Sequence, residues 1–132
     1  MKITADTNVL VRVAIRDDAQ QMQAARKALA AAELTTIATP ALCEFTWVMR
    51  HGYKQAPTKV AAGIRLLLAS ANVAIDRPAA EAGLAMLEVG GDFADGVIAF
   101  EGAALGGKAF VSFDKDAVKR LKKLGQDAML LA

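Results

Sequence analysis

Cysteine is almost absent from this chain: Cys43 stands alone among 132 residues, so no internal disulfide can form. Histidine is equally scarce, and the lone His51 with the lone Cys43 rules out a clustered His/Cys metal site. The opening residues Met1 to Asp6 lack the long apolar core of a signal peptide, which predicts a cytoplasmic protein. No uninterrupted apolar run approaches the ~20 residues a membrane span needs. Neither charge sign dominates: 16 basic residues face 14 acidic ones, and a net +2 does not by itself define a nucleic-acid binder. What the chain does have is apolar content, 55%, which must be destined for a protein core. A chain of this size hides about two thirds of its unfolded surface on folding, so residues 1–132 are expected to form a single domain without staples.

Patterning along the chain alternates between strand and helix. Lys2 to Ala5 is a strand expectation, followed by a helix through Val9, Leu10, Val13 and Ala14. Asp17-Asp18 opens a second helix with Met22, Ala25, Leu29 and Ala32 on one stripe. The β-prone run Thr35 to Ala38 precedes Thr39-Pro40, which reads as an N-cap and a proline at the first helical position. The third helix, Pro40 to about Arg50, is apolar on nearly all sides, so Glu44 within it is expected to be buried, with Cys43 and Trp47 in the core and His51 capping the end. A fourth helix from Thr58, a strand Val73 to Ile75, and a fifth helix from near Pro78 to Gly90-Gly91 follow. Asp92 then caps a sixth helix. Ala109 to Val111 is a strand, Lys115 to Leu124 a helix, and Ala128 to Leu131 the closing strand. The expectation is an α/β three-layer sandwich with a mainly parallel central sheet of about five strands.

In such a sheet, sites form beyond the carboxyl ends of the strands, where helices begin. Asp6 and Asp114 directly follow strands, while Glu44 and Asp95 fall in the early turns of helices at that edge. Two carboxylates about 4 Å apart repel by roughly 4 kcal/mol at an effective dielectric of 20, so acids converging there call for a cation. None of these segments supplies an obvious lysine or arginine partner. A hard divalent cation held by oxygen, Mg2+ or Mn2+, suits the set. Such a site acidifies a bound water and offsets charge on phosphate oxygens, which points to phosphodiester hydrolysis.

Four segments together resemble a known family: Asp6-Thr7-Asn8-Val9-Leu10-Val11-Arg12, Glu44 in an early apolar helix, Asp92-Phe93-Ala94-Asp95-Gly96-Val97-Ile98-Ala99, and Ser112-Phe113-Asp114-Lys115-Asp116. In this order and spacing they resemble PIN-domain nucleases, and more closely the VapC-like toxins of bacterial type II toxin-antitoxin pairs. The resemblance implies that Asp6, Glu44, Asp95 and Asp114 hold Mg2+ or Mn2+, with Asn8 and Ser112 as supporting polar groups. It also implies endoribonuclease activity on structured RNA such as tRNA, a homodimer, and a cognate antitoxin that blocks the site. Ser112 stands where that family often has Thr, and Gly96 where Ala is common, which should loosen the first turn of its helix.

Other charged residues have plainer readings beside their functional ones. Arg12, Lys119 and Arg120 could meet RNA phosphates, or could simply lie on solvated helix faces. Asp116 could cap the last helix or serve as a spare ligand, and the cap is the reading preferred. A phosphotransfer receiver domain fits poorly, because it wants adjacent acids after its first strand, and Asn8 spoils the Asp-x-Asp pattern of strand-end phosphatases. The non-enzymatic alternative is a catalytically silent, metal-stabilised module that binds RNA or a partner protein.

Overall fold

The computed structural model describes residues 1–132 and resolves into two compact units, Met1–Asp76 and Arg77–Ala132. In the first, β1 (Lys2–Thr4), β2 (Leu34–Ile37) and β3 (Val73–Ile75) form a parallel sheet in the order β1-β2-β3. Lys2 pairs with Leu34 and Thr35 with Val73. Each crossover is helical: α1 (Thr7–Ala14) and α2 (Ala19–Ala31) join β1 to β2, while α3 (Thr39–Trp47), a π turn (Val48–Gly52) and α4 (Pro57–Ala69) lead on to β3. The core of this unit draws on Leu10, Ile37, Leu42, Phe45, Val60 and Ile64, all buried. Burying a side chain of that size contributes about 1.5–3 kcal/mol. On β2, Thr35 and Ile37 are buried and Leu34 and Thr36 half-buried, as expected of a middle strand covered on both faces. Thr35 carries a cost, since its buried hydroxyl has no hydrogen-bond partner.

The second unit contains α5 (Arg77–Glu88), α6 (Phe93–Ala104), β4 (Phe110–Ser112), α7 (Lys115–Lys123) and β5 (Ala128–Leu130). β4 and β5 pair in parallel, Phe110 with Ala128. Phe110, Leu124 and Ala128 pack on buried Met86, Ala117 and Leu121, which ties the two strands to α7 and α5. The helices stop cleanly. After α5, Gly90 (φ 87°) gives its N–H to Leu87 and Gly91 gives its own to Met86; after α7, Gly125 (φ 83°) and Gln126 do the same to Lys122 and Leu121. These are Schellman ends, and the left-handed residue each requires is a glycine.

The α/β class and the parallel pairing agree with expectation, but the sheet does not. Five parallel strands are present, divided into a three-stranded and a two-stranded sheet instead of one of about five. With only three or four residues each, the strands bring little ladder energy of their own, so packing decides the grouping. Around the third helix further expectations fail. Ala38, with no side-chain bond, occupies the cap and Thr39 is already helical, because proline is tolerated anywhere in the first turn and so does not fix the boundary. Beyond Trp47 the α-helix widens into the π turn. Trp47 lies outside the core, 59% exposed; His51 stacks against it, with ring centroids 5.0 Å apart, and does not cap a helix. Cys43 is half-buried.

Candidate active site: paired carboxylates at strand ends

In the first unit, β1 ends at Thr4 and the chain turns through Asp6, which N-caps α1 by accepting the Thr7 N–H at 2.7 Å. The Thr7 hydroxyl points at Glu44 Oε2, 3.5 Å away, so one residue touches both acids. Glu44 is exposed on α3, which corrects the expectation of a buried acid. An all-apolar composition says that a helix is mostly covered, but it cannot say which residue faces out.

In the second unit, Asp92 caps α6 through the Ala94 N–H at 3.0 Å and leaves Asp95 free in the first turn. Asp95 is half-buried, and its carboxylate accepts no hydrogen bond. Its pKa is raised, first by burial, then by the carboxylates of Asp92 and Asp114. Asp114, at the end of β4, caps α7: its Oδ1 accepts from Asp116 N at 3.0 Å and Ala117 N at 3.1 Å. The cap was expected of Asp116, which sits inside the first turn instead; a side chain caps from one residue before the helix, and α7 begins at Lys115. Ser112 Oγ accepts the Asp114 N–H at 2.9 Å and so fixes the backbone that presents this acid.

Two further expected residues have other company. Asn8 and Arg12 line a shallow groove of about 350 Å3 between α1 and α2, with Gln21, Ala24 and Ala28. Arg12 is bound to Asp17 at 2.6 Å, and Tyr53 gives its hydroxyl to the other Asp17 oxygen at 3.1 Å. Arg120 lies across the Gly90-Gly91 turn, while Lys119 is exposed on α7. The Asp17–Tyr53 bond and the exposed Trp47 were not anticipated. Nothing local in the sequence signals the first, and a helix apolar on nearly all sides gives no pattern that signals the second.

Each unit thus presents a pair of acids, Asp6 with Glu44 and Asp95 with Asp114, and within neither unit do three His, Cys, Asp or Glu side chains gather to hold a metal. No lysine or arginine pairs with any of the four. The donors are hard oxygens, and the crowding at Asp95 is of the kind a divalent cation relieves, so the residues suit Mg2+ or Mn2+.

An α/β fold that delivers acids at the carboxyl ends of parallel strands and at the helix starts beyond them defines a class of acidic, phosphate-directed sites. The PIN domain family model matches residues 3–124, and the chain belongs to that family, whose members are generally nucleases that use divalent metal ions. No curated protein matches the chain. No helix is long and apolar enough to cross a membrane.

Proposed function

We propose that this PIN domain is an Mg2+- or Mn2+-dependent endoribonuclease acting as the toxin of a bacterial toxin-antitoxin pair. The observation that carries the reading is Asp95, half-buried, without a hydrogen bond, and pushed towards protonation by burial and by Asp92 and Asp114. A carboxylate left in that state weakens the fold unless a cation is there to accept it, and sites tuned in this way are disproportionately functional. In this reading Asp6, Glu44, Asp95 and Asp114 hold the ion, which supplies a water acidic enough to attack phosphorus and neutralises charge on the phosphate. The chain's own contribution is positional. Thr7 holds Asp6 and steadies Glu44, Ser112 steadies Asp114, and the two caps keep Asp6 and Asp114 pointing past their helix starts.

The substrate in this reading is cellular RNA, with structured RNA such as tRNA the first class to try. The protein acts as a homodimer in the cytoplasm, and a cognate antitoxin covers the acids. Of Arg12, Lys119 and Arg120, Lys119 is the exposed one and is free to meet a phosphate; Arg12 would have to leave Asp17 first. The resemblance of the four segments to VapC-like toxins supports the toxin assignment, and the family match supports the nuclease chemistry.

Purified protein, freed of any partner, is incubated with total cellular RNA and Mg2+ or Mn2+, beside EDTA and Asp6→Asn controls. Discrete fragments that disappear in both controls are expected. If metal binds while no RNA is cut, the silent binding module is the better reading.

A further inference from the structure

The turn between α5 and α6 contains two adjacent glycines, and each is a glycine for its own reason. Gly90 is left-handed, φ 87°, as the helix end requires. Gly91 is not left-handed, so its bare backbone answers a shortage of room: a Cβ there would stand 2.9 Å from Met86 Sδ and 3.0 Å from Arg120 Cδ. The Arg120 side chain runs on across the turn, its Nη2 and Nε 3.9 and 4.0 Å from where a Gly90 Cβ would be. Lys119, Lys122 and Lys123 of the same helix are exposed, whereas Arg120 is half-buried and has neither a hydrogen bond nor an ion pair. A long side chain laid on a turn with its charged head unpaired contributes by the surface it covers.

Cover matters here because of what the turn connects. Two glycines in succession leave the backbone permissive, and the next residue, Asp92, caps α6 with Asp95 in its first turn. Arg120 belongs to α7, whose cap is Asp114, about 9 Å back along the helix at 1.5 Å per residue. One helix thus carries one acid of the pair and clasps the turn that leads to the other. The charges of Asp92 and Asp114 are both felt at Asp95.

We propose that Arg120 is a positioning residue: by covering the Gly90-Gly91 turn it fixes where α6 begins, and so where Asp95 stands relative to Asp114. The proposal rests on the reading of Asp95 and Asp114 as metal ligands and adds a residue hydrogen-bonded to neither. A plain electrostatic role, a cation favoured at the C-terminal end of α5, predicts the opposite result for metal. Removing a positive charge near the acids would by Coulomb attraction tighten a divalent cation, so weaker binding has to come from displaced ligands.

Mn2+ is titrated into the full-length protein and its free fraction read from the electron paramagnetic resonance signal. Arg120→Ala should weaken binding by about 10-fold or more, the usual effect of losing a group that orients metal ligands. Arg120→Met, which keeps a covering stem and loses the charge, should recover most of the affinity. In metal-free protein, the amide resonances of Gly90 to Asp95 should shift in Arg120→Ala and return towards the parent in Arg120→Met. Circular dichroism verifies that both variants are folded. Mn2+ binding by Arg120→Ala as tight as the parent's, or tighter, overturns the proposal, even if that variant melts lower; so does weaker binding with those amides unmoved. A parent that binds no Mn2+ defeats the metal reading instead, and the amides then decide alone whether Arg120 sets the turn.

Discussion

Arg12 and Asp17 form an ion pair at 2.6 Å, closing the turn from α1 to α2, and the Tyr53 hydroxyl fastens the same carboxylate from beyond the π turn. Desolvation alone would raise the Asp17 pKa, but hydrogen bonds from Arg12 and Tyr53 and the Arg12 charge hold it below the ordinary carboxylate range. The Arg12 guanidinium is stabilised in turn, mainly by its bond to Asp17. A depressed folded pKa contributes stability above the unfolded value and loses it as pH falls through the folded one. Asp17→Asn should therefore lower the melting temperature slightly at neutral pH, with the gap closing below about pH 3. It should also narrow in 1 M salt, because both groups reach solvent. A gap of the same size at every pH would mean that the turn owes nothing to this charge.

Asp95 works in the opposite sense. Its folded pKa lies above its unfolded one, so the native state binds more protons and stability falls as pH rises through the carboxylate range. In metal-free buffer, Asp95→Asn should melt higher than the parent at pH 7, and the two should converge near pH 3. Mg2+ or Mn2+ should then raise the parent's melting temperature and leave the variant's nearly unchanged; saturation at 100 times the dissociation constant is worth about 2.7 kcal/mol. A parent that ignores both metals in a thermal-shift assay would remove the cation from this site.

Asp114 has two duties that substitution can separate. Asparagine caps a helix as well as aspartate does, whereas alanine forfeits about 1 kcal/mol. Asp114→Asn should thus keep the parent's stability while abolishing metal-dependent cleavage; Asp114→Ala should lose cleavage and also about 3–6 °C of melting temperature. Full cleavage by Asp114→Asn would make Asp114 a cap and nothing more.

At Gly96, α6 comes close against α5. A Cβ there would collide with the Ala82 carbonyl oxygen and come within 2.8 Å of Met86 Cβ, so the glycine is required by packing and its position is tight, not loose. Alanine gains up to about 1 kcal/mol of helix propensity. Overpacking against backbone typically costs about 1–3 kcal/mol and should prevail. Urea denaturation should show Gly96→Ala less stable than the parent; a more stable variant would mean that the two helices separate freely.

The fold was legible in the sequence wherever a residue type admits only a few backbone roles. Asp18, Asp92 and Gly90 mark helix ends because side-chain oxygens cap and glycines turn left-handed, and the structure uses all three in that way. The strands were legible as short β-prone runs between helical stripes, their division into two sheets was not, because pairing partners far apart in sequence leave no local trace. The outer face of α3 was hidden for a different reason. A helix apolar all round has no amphipathic signature, so only coordinates distinguish exposed Trp47 from buried Phe45. Asp6, Glu44, Asp95 and Asp114 could be named from their places at strand ends and helix starts, but their hydrogen bonds could not. Thr7 as a link between Asp6 and Glu44 depends on a side-chain direction, and Arg12 could not be seen to have Asp17 as its partner.

The register of the parallel strands also sets an order in time. Lys2 must find Leu34 and Thr35 must find Val73, whereas Phe110 needs to reach only Ala128. Since each doubling of a loop adds only about 0.6 kcal/mol of closure entropy, loop length alone separates these events by roughly threefold in rate. The α5–α6 hairpin needs no strand at all: its helices are consecutive, and Phe93 is buried beside Gly83 once the Gly90-Gly91 turn has formed. We expect this hairpin to be the nucleus from which the second unit condenses. In stopped-flow chevrons, Gly96→Ala should then act mainly on the refolding limb and Ile37→Val mainly on the unfolding limb. The reverse pattern would place the first productive contacts in the β1-β2-β3 sheet.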